Sequence, residues 1–253
     1  MTNITAIIHT KNAEEHLQEV IDHLKMFDCI MIVDMESDDR TLEIAQVNGC
    51  RILPVEDKGY GCPEPVRDYA IKSAETEWVF FVDADEIIPA ELSKKLIEIA
   101  ASPGDVRGVR IARKNMLLDG WNKSTYPDYQ LRFLHKDSSQ WPPHVHSFPS
   151  VDGRVISLPK LDESLAMIHK APSISAVMER MNRYTTAEVE RRKGESVSIW
   201  KMLFKPWFRF FRSYILKGGI LRGMSGYFSA KNDANYKFYI YSKLYEEKIK
   251  GKE

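Results

Sequence analysis

Short apolar runs alternate with amphipathic stretches over the first hundred residues of the chain. Four apolar runs predict buried strands at residues 5–9, 29–33, 51–54 and 78–82. Between them, apolar side chains recur at helical spacing, which predicts helices over residues 14–27, 39–48 and near 64–73. Strands that alternate with helices form a parallel, doubly wound sheet, whose ligands collect at the carboxyl ends of the strands.

The pattern changes after residue 104. Strand-like runs at residues 109–112, 131–135 and 155–158 are separated by long loops that contain Trp, Pro and His. From residue 172 the chain is predicted to be helical to its end. We therefore predict an α/β catalytic domain over residues 1–170 and a helical C-terminal region over residues 171–253.

Composition and charge are those of a folded protein with two different halves. The 253 residues are 43% hydrophobic, and 36 Lys and Arg balance 36 Asp and Glu, so the net charge gives no argument for nucleic-acid binding. Residues 201–253, however, carry twelve basic and four acidic side chains, a net charge of +8. Three cysteines, no signal-peptide pattern and no run of eighteen apolar residues predict a cytoplasmic chain without a membrane-spanning helix.

Three acids follow the most apolar predicted strand. Asp83 and Asp85 are separated by one alanine, and Glu86 comes next. Carboxylates at positions i and i+2 point to the same side, so they can share a divalent cation, and oxygen ligands suit Mg²⁺ or Mn²⁺. Such a cation can hold a diphosphate. The alternative is a helix whose first turn favours acids.

Polar residues also end the first two predicted strands. Thr10 and Asn12 follow the first strand, and Asp34 ends the second. In a parallel sheet these ends open on one edge, which they share with Asp83 and Asp85. Acids there can accept hydrogen bonds from base N–H groups and ribose hydroxyls while a metal holds phosphate. The sequence thus predicts a nucleoside-binding crevice.

The order of these motifs resembles glycosyltransferase family 2, whose members have a GT-A fold and use nucleotide-sugar donors. Four matching segments stand at residues 7–14, 33–41, 65–70 and 81–86. More narrowly, the chain resembles the bacterial branch that adds sugars to lipopolysaccharide inner core and related surface glycans. That likeness continues at residues 126–133, 144–146, 168–169, 181–186, 209–219 and 226–227. It implies a Rossmann-like, doubly wound mixed sheet with a helical C-terminal extension.

The resemblance also implies roles for individual residues. The donor site would consist of Thr10, Asn12, Asp34, Asp39, Arg67, Asp83 and Asp85. Asp34 would lie near the base, and Arg67 would reach the pyrophosphate or the base edge. Asp85 would be the principal metal ligand, Asp83 would approach the ribose or the metal, and His146 would be a second ligand or a donor to the leaving diphosphate. The implied cofactor is Mn²⁺ or Mg²⁺, and the implied donor a UDP-sugar.

Two positions depart from the family's usual residues in ways that affect substrate details more than the fold. Asp68 stands where asparagine is usual, and Ser147 stands where glutamate is usual. A third departure is the Met35–Glu36 pair, where small residues are common.

Family 2 enzymes invert the anomeric carbon by direct displacement, which requires a general base for the acceptor hydroxyl. The predicted base is Asp128, which precedes an apolar run and matches the family's Pro-Asp position. The alternative for this residue is a turn or helix-cap aspartate. The reserve candidates are Asp119, Asp162 and Glu163. His169 follows an apolar run and is expected to be a buried, hydrogen-bonded imidazole.

The segment at residues 199–214 mixes aromatic and basic side chains, a composition that favours the interface of an anionic bilayer. Single-stranded nucleic-acid binding and a core-packing helix are the alternatives. We expect a nucleotide-sugar donor, a glycan or lipid-linked acceptor, an anionic membrane surface and no nucleic acid as partners. The expected location is the cytoplasm, with peripheral attachment to the cytoplasmic face of the inner membrane.

Two other functions are compatible with the crevice. A nucleotidyltransferase that makes sugar nucleotides would need a glycine-rich phosphate loop after the first strand, and residues 10–14 contain no glycine. A non-catalytic nucleotide-sugar-binding protein would bind the donor without transferring its sugar.

Overall fold

The chain forms two compact units. The computed structural model describes residues 2–56, 64–118, 120–143 and 147–250. The first unit comprises Met1–Lys114 and Thr125–Lys170, and the second comprises Asn115–Ser124 and Ala171–Glu253. The segment Asn115–Ser124, which lies inside the predicted first domain, thus groups with the helical unit.

The secondary structure of the first 170 residues is mixed, as predicted. The strands are β1 (Ile4–Thr10), β2 (Cys29–Asp34), β3 (Arg51–Pro54), β4 (Trp78–Asp83), β5 (Glu86–Ile87), β6 (Val106–Leu117), β7 (Gly120–Trp121), β8 (Asp128–His135), β9 (Ser139–Gln140), β10 (Ser150–Val151), β11 (Arg154–Ser157) and β12 (Met167–His169). The helices are α1 (Leu17–Asp22), α2 (Thr41–Val47), α3 (Glu64–Ser73) and α4 (Ala90–Ala101).

The main sheet has the strand order β3-β2-β1-β4-β8-β6-β12-β5. Strands β3, β2, β1 and β4 are parallel, whereas β8 runs antiparallel to both β4 and β6. The predicted doubly wound mixed sheet is confirmed. Because β8 is reversed, its first residue lies at the same edge as the last residues of β1, β2 and β4.

Strand β1 is buried along its whole length because both faces of the sheet are covered. Its side chains alternate between two hydrophobic clusters, as the two-residue period of a strand requires. Ile4, Ala6 and Ile8 pack with α1 and α4 on one face. Ile7 packs on the other face, with the Ala70–Ile71 part of α3. The apolar run that predicted this strand is therefore explained by its central position.

Helix α1 is shorter than the predicted 14–27. The loop before it is held by side chains that follow β2, since the Ala13 N–H donates to Thr41 Oγ1 at 2.8 Å and the Glu14 N–H to Asp39 Oδ2 at 3.0 Å. These backbone groups are thereby satisfied outside a helix, and the regular helix begins only at Leu17.

The second unit is built on three helices, α5 (Ile174–Arg191), α6 (Ile199–Phe211) and α7 (Gly223–Lys250). Val189 of α5 packs with Ile240, Tyr241 and Leu244 of α7, whereas α6 has no buried residue. A turn before α7 packs so closely that a Cβ at Gly226 would lie 1.9 Å from the carbonyl oxygen of Gly219. Within the described residues, no helix combines the length and apolarity needed to cross a membrane.

Candidate active site

Thr10 and Asp34 form a buried pair at the carboxyl edge of the sheet. Parallel pairing places them side by side, and the Thr10 hydroxyl donates to Asp34 Oδ1 at 2.9 Å. The Ser37 N–H donates to the other carboxylate oxygen at 3.0 Å. Because Asp34 is only 3% exposed, these bonds determine the direction in which its carboxylate points.

Asn12 and Asp39 hold the loops after β1 and β2 together. The Asn12 N–H donates to Ser37 Oγ at 2.9 Å, and the Asp38 N–H donates to Asn12 Oδ1 at 3.0 Å. Burial acts to raise the pKa of Asp39, but hydrogen bonds from Thr41 and the Glu14 N–H lower it overall. Asn12 and Asp39, both predicted to belong to the nucleotide-sugar site, thus have their side chains hydrogen-bonded within these loops.

Asp83 and Glu86 lie among three arginines. Arg132 donates to Asp83 Oδ2, while Arg67 and Arg113 lie 3.6 and 3.8 Å from the Asp83 carboxylate. Removal from water would raise the pKa of Asp83, but the three guanidinium charges hold it well below its usual range. Burial, together with the Asp83 charge, raises the pKa of the fully buried Glu86. The cluster therefore keeps Asp83 ionised at the sheet edge.

Asp128 begins β8 and belongs to the same cluster. Arg113 donates to Asp128 Oδ2 from Nε at 3.0 Å and from a terminal nitrogen at 2.8 Å. Gln130 donates to the other oxygen of Asp128 at 2.8 Å. Arg113 also donates to Glu86 Oε1 at 3.1 Å. One guanidinium therefore connects the predicted base to the carboxylates that follow β4.

Asp85 lies against His169, which the sequence analysis left out of the site. Strand β12 pairs antiparallel with β5, with His169 opposite Glu86, and His169 Nε2 lies 3.1 Å from Asp85 Oδ2. Burial would lower the pKa of His169, but the Asp85 carboxylate raises it overall. The imidazole is 18% exposed and hydrogen-bonded, as expected, yet its partner makes it part of the site. The sequence signals for His169 were its position at the end of a short apolar run and the family likeness at residues 168–169.

A cavity of about 600 Å³ opens beside Asp83 in the first unit. Its lining includes His9, Arg67, Gln130, Arg132 and Trp141. Within the described part of the chain, Nε2 of His9 and two nitrogens of the Arg132 guanidinium are buried without a hydrogen-bond partner. These polar atoms can serve a bound ligand. Burial and the charge of Arg67 lower the pKa of His9, so its imidazole is neutral.

Two of the three departures from the usual family residues, Asp68 and Ser147, contact one tryptophan in this lining. Asp68 Oδ1 accepts from the Trp141 N–H at 3.0 Å, and Trp141 Nε1 donates to Ser147 Oγ at 3.1 Å. The Arg67 guanidinium stands 4.3 Å from the centre of a Trp141 ring, a cation–π contact. The two substitutions thus hold the aromatic wall that covers Arg67.

The reserve base candidates have structural partners or lie outside the described residues. Asp162 caps a short 3₁₀ turn by accepting from the Ser164 N–H at 3.1 Å. Glu163 forms an ion pair with Lys114 at 3.3 Å. Asp119 and His146 fall outside the described part of the chain.

Asp85 and His169 fit a divalent cation. Adjacent ligands of an octahedral Mg²⁺ lie about 3 Å apart, given metal–ligand distances of roughly 2.1 Å. The 3.1 Å between Asp85 Oδ2 and His169 Nε2 matches that spacing. No group of three or more His, Cys, Asp or Glu side chains arranged for a metal occurs within the described ranges. The pair therefore leaves coordination positions for other ligands, such as diphosphate oxygens.

Comparison with known proteins identifies the class to which this fold and site belong. Residues 5–165 match the family described as Glycosyl transferase family 2, more than half of the chain. The chain belongs to that family. The expectations of the fold, of the family and of an enzyme that transfers sugars are therefore confirmed.

Relatives and a solved structure extend the likeness over nearly the whole chain. A lipopolysaccharide core biosynthesis glycosyltransferase, LpsC of Rhizobium meliloti (strain 1021), is 25% identical, covering 96% of this chain and 92% of its own. An uncharacterized glycosyltransferase of Rickettsia felis is 24% identical, and the match covers 100% of this chain and 93% of the relative. The mannosyltransferase PcManGT of Pyrobaculum calidifontis, solved with GDP-Man and Mn²⁺, has a TM-score of 0.54 at 15% identity, covering 97% and 88%.

Removing the Arg132 charge should destabilise the first unit. Arg132 is 5% exposed and Asp83 one-third exposed, so Arg132→Met leaves a partly buried carboxylate with weaker compensation. We expect a loss of about 3 kcal/mol in the free energy of unfolding, the lower end for a broken buried pair. Urea unfolding measures it. Arg154→Met, which breaks an exposed pair with Asp105, is the matched control and should cost under about 1 kcal/mol; equal losses would contradict the assignment.

Proposed function

We propose that the protein transfers a sugar from a nucleoside-diphosphate sugar, such as a UDP-sugar, to a hydroxyl of a glycan or lipid-linked acceptor. The reaction inverts the anomeric carbon and depends on a divalent metal. The observation that carries this proposal is the meeting of Asp34, Asp83 and Asp85 with Arg67 and Arg132 at one sheet edge beside a 600 Å³ cavity. One edge of the sheet thereby offers carboxylates that can bind the nucleoside and guanidinium groups that can bind the diphosphate.

The donor binds along the carboxyl ends of β1, β2 and β4. The carboxylate of Asp34, oriented by Thr10, accepts from the base, and Asp83 accepts from a ribose hydroxyl. Arg67 and Arg132 donate to the diphosphate, for which a planar guanidinium offers paired N–H groups. Asn12 and Asp39 act by holding the loops that border the base. Neutral His9 adds no charge to this wall.

The metal is Mn²⁺ or Mg²⁺, held by Asp85 and His169, with His146 a further ligand that the family resemblance implies. When bound, the cation supplies charge that stabilises the leaving diphosphate. Its use is supported by the donor spacing of Asp85 and His169 and by the Mn²⁺ in the mannosyltransferase structure. Binding requires His169 to be deprotonated, since a protonated imidazole has no lone pair for a metal.

Asp128 acts as the general base. Its carboxylate takes the proton of the acceptor hydroxyl as that oxygen attacks the anomeric carbon from the side opposite the diphosphate. Arg113 and Gln130 orient this carboxylate toward the reaction.

The acceptor we propose is a glycan carried by a lipid, in line with the lipopolysaccharide core biosynthesis for which the LpsC relative is named. The helical unit provides a surface suited to an anionic membrane. In α6 the side chains of Trp200, Phe204, Trp207 and Phe208 are each more than half exposed. Because these four side chains are exposed, they do not pack in a core. A role at a membrane interface would use both their rings and the nearby cations.

A panel of nucleoside diphosphates and their sugars, measured by thermal unfolding with and without Mn²⁺, tests the proposal. The true donor should stabilise the protein by about 2.7 kcal/mol at a concentration one hundred times its Kd. Asp34→Asn should weaken binding, and Asp105→Asn, in an exposed pair away from the cavity, should not. Transfer of the sugar to a hydroxyl, rather than release of pyrophosphate, separates this function from nucleotidyl transfer. Absence of stabilisation by every nucleotide would refute it.

A further inference from the structure

Five basic side chains converge on a small cavity within the helical unit. The cavity has a volume of about 220 Å³, and the side chains of Phe208 and Tyr241 form part of its wall. The cations come from the end of α5, from α6 and its end, and from α7: Arg192, Lys205, Arg209, Arg212 and Lys237. Such convergence brings like charges together, which is unfavourable unless an anion offsets it.

Carboxylates of the described residues pair with only two of these cations. Arg192 donates to Glu188 at 2.8 Å, and Arg209 lies 3.8 Å from Asp233. Within the described chain, no carboxylate oxygen lies within 4.0 Å of the charged nitrogens of Lys205, Arg212 or Lys237. The cavity therefore keeps a surplus of positive charge. Burial and the charges of Arg192 and Arg209 lower the pKa of Lys237.

An apolar surface borders this cavity on α6. Trp207 is 63% exposed and belongs to a second groove, of about 500 Å³, with Phe210, Tyr227 and Phe238. Phe208, one residue further along α6, is 55% exposed and forms part of the cationic cavity itself. A soluble anion would need only the cations. A ligand with both a phosphate and an apolar body uses the cations and the aromatic rings together.

We propose that the cavity lined by Lys205, Arg212 and Lys237 binds the phosphate of one anionic lipid headgroup, while the adjoining aromatic rings of α6 enter the bilayer interface. A phosphate fits a cavity of this size, and guanidinium and ammonium groups are its usual partners. The inference deepens the proposed membrane attachment and rests on it. It adds a specific headgroup site to what would otherwise be diffuse attraction between a basic surface and anionic lipid.

Vesicle binding by two charge-matched double variants tests the site. Arg212→Gln/Lys237→Gln removes two cations from the cavity, and Lys217→Gln/Lys248→Gln removes two that are outside its lining. The diffuse electrostatic attraction between the protein and anionic vesicles should fall equally in the two variants, because each loses two positive charges. Hydrogen bonds to a charged phosphate add a loss only for the cavity variant, whose Kd for phosphatidylglycerol vesicles should exceed the control's by roughly tenfold or more. Equal Kd values for the two variants would overturn the proposal.

A second measurement uses the unaltered protein, so it does not depend on whether a variant folds. Acetylation of Lys237 by an amine reagent, followed by mass spectrometry, should slow severalfold with phosphatidylglycerol vesicles and not with phosphatidylcholine vesicles. Lys248 provides the internal comparison. Unchanged labelling of Lys237, or equal protection by inorganic phosphate at the same phosphate concentration without vesicles, would overturn the lipid assignment.

The outcome for this site is separable from that for the proposed enzyme activity. The cavity variant should keep the wild-type Mn²⁺-dependent stabilisation by the nucleotide sugar, because none of its substitutions lies in the first unit. Loss of vesicle binding with donor binding intact supports the headgroup site. Failure of every nucleotide to bind would refute the transferase proposal and leave the vesicle results unaffected.

Discussion

Replacing Asp128 with asparagine should lower kcat by about 10²–10⁴-fold while the KM for the donor stays nearly unchanged. The amide cannot accept the acceptor's proton, yet it preserves the shape of the side chain and can still accept from Gln130. Initial rates at saturating donor, with an acceptor titration, measure the change. Donor affinity should hold because Asp34 and Arg67, which we propose bind the nucleotide, are unchanged.

The matched control for this substitution is Asp162→Asn. Asp162 was a candidate base from the sequence, but in the structure it caps a 3₁₀ turn. Its replacement should cost some stability and leave kcat within a few-fold of the wild type. A large loss of kcat in Asp162→Asn or Glu163→Gln, with Asp128→Asn active, would show that the base has been assigned to the wrong residue.

Asp85→Asn should lower kcat by on the order of 10²–10³-fold, the usual effect of removing one group that stabilises transition-state charge. The neutral amide is a weaker ligand for Mn²⁺ than a carboxylate, so the metal concentration for half-maximal rate should also rise. His169→Ala should raise that concentration too, because the two donor atoms lie 3.1 Å apart. Rates measured across a Mn²⁺ titration separate weakened metal binding from a damaged fold.

Glu91→Gln is the control for a lost acidic charge nearby in sequence, since Glu91 is exposed and pairs only locally with Lys94 on α4. Its Mn²⁺ titration should coincide with that of the wild type. Full activity of Asp85→Asn, or activity of the wild type in excess chelator, would contradict the metal assignment.

Electrostatic organisation explains why these two substitutions should act differently. Asp128 is linked through Arg113 to Glu86, so its orientation depends on a buried network. Asp85 is 40% exposed and has His169 as its side-chain partner at 3.1 Å, so it stays accessible to a ligand. The proposed base is thus held in place and the proposed metal pair is accessible, as a displacement reaction requires.

Much of the parallel half of the sheet could be predicted from the chain alone. Over most of their length β1, β2 and β4 carry apolar side chains on both faces, which requires burial on both sides and hence a covered parallel sheet. That inference also put Thr10, Asp34 and Asp83 on one edge, because parallel strands end together. Local patterns succeed where the physical cause, burial of a short segment, is itself local.

The boundaries of α1 and the exposure of α6 could not be read from those patterns. Helix α1 begins late because Asp39 and Thr41, 25 or more residues away, bond backbone N–H groups in the loop before it. Helix α6 has an apolar face that the sequence alone could equally assign to a core or to an interface. Only packing decides, and in α6 no residue is buried.

What the sequence by itself determined is the α/β class and the set of acids at the carboxyl edge, because strand burial and strand direction follow from the order of apolar runs. The family was recognised from its motifs, which stand in order along the chain. What only the tertiary structure decided is which charges face one another. Arg113 reaches Asp128 because β6 pairs antiparallel with β8, and His169 reaches Asp85 because β12 pairs with β5. These partners are separated by 15 and 84 positions in the chain, and pairing across such separations is set by strand register, which no local pattern records.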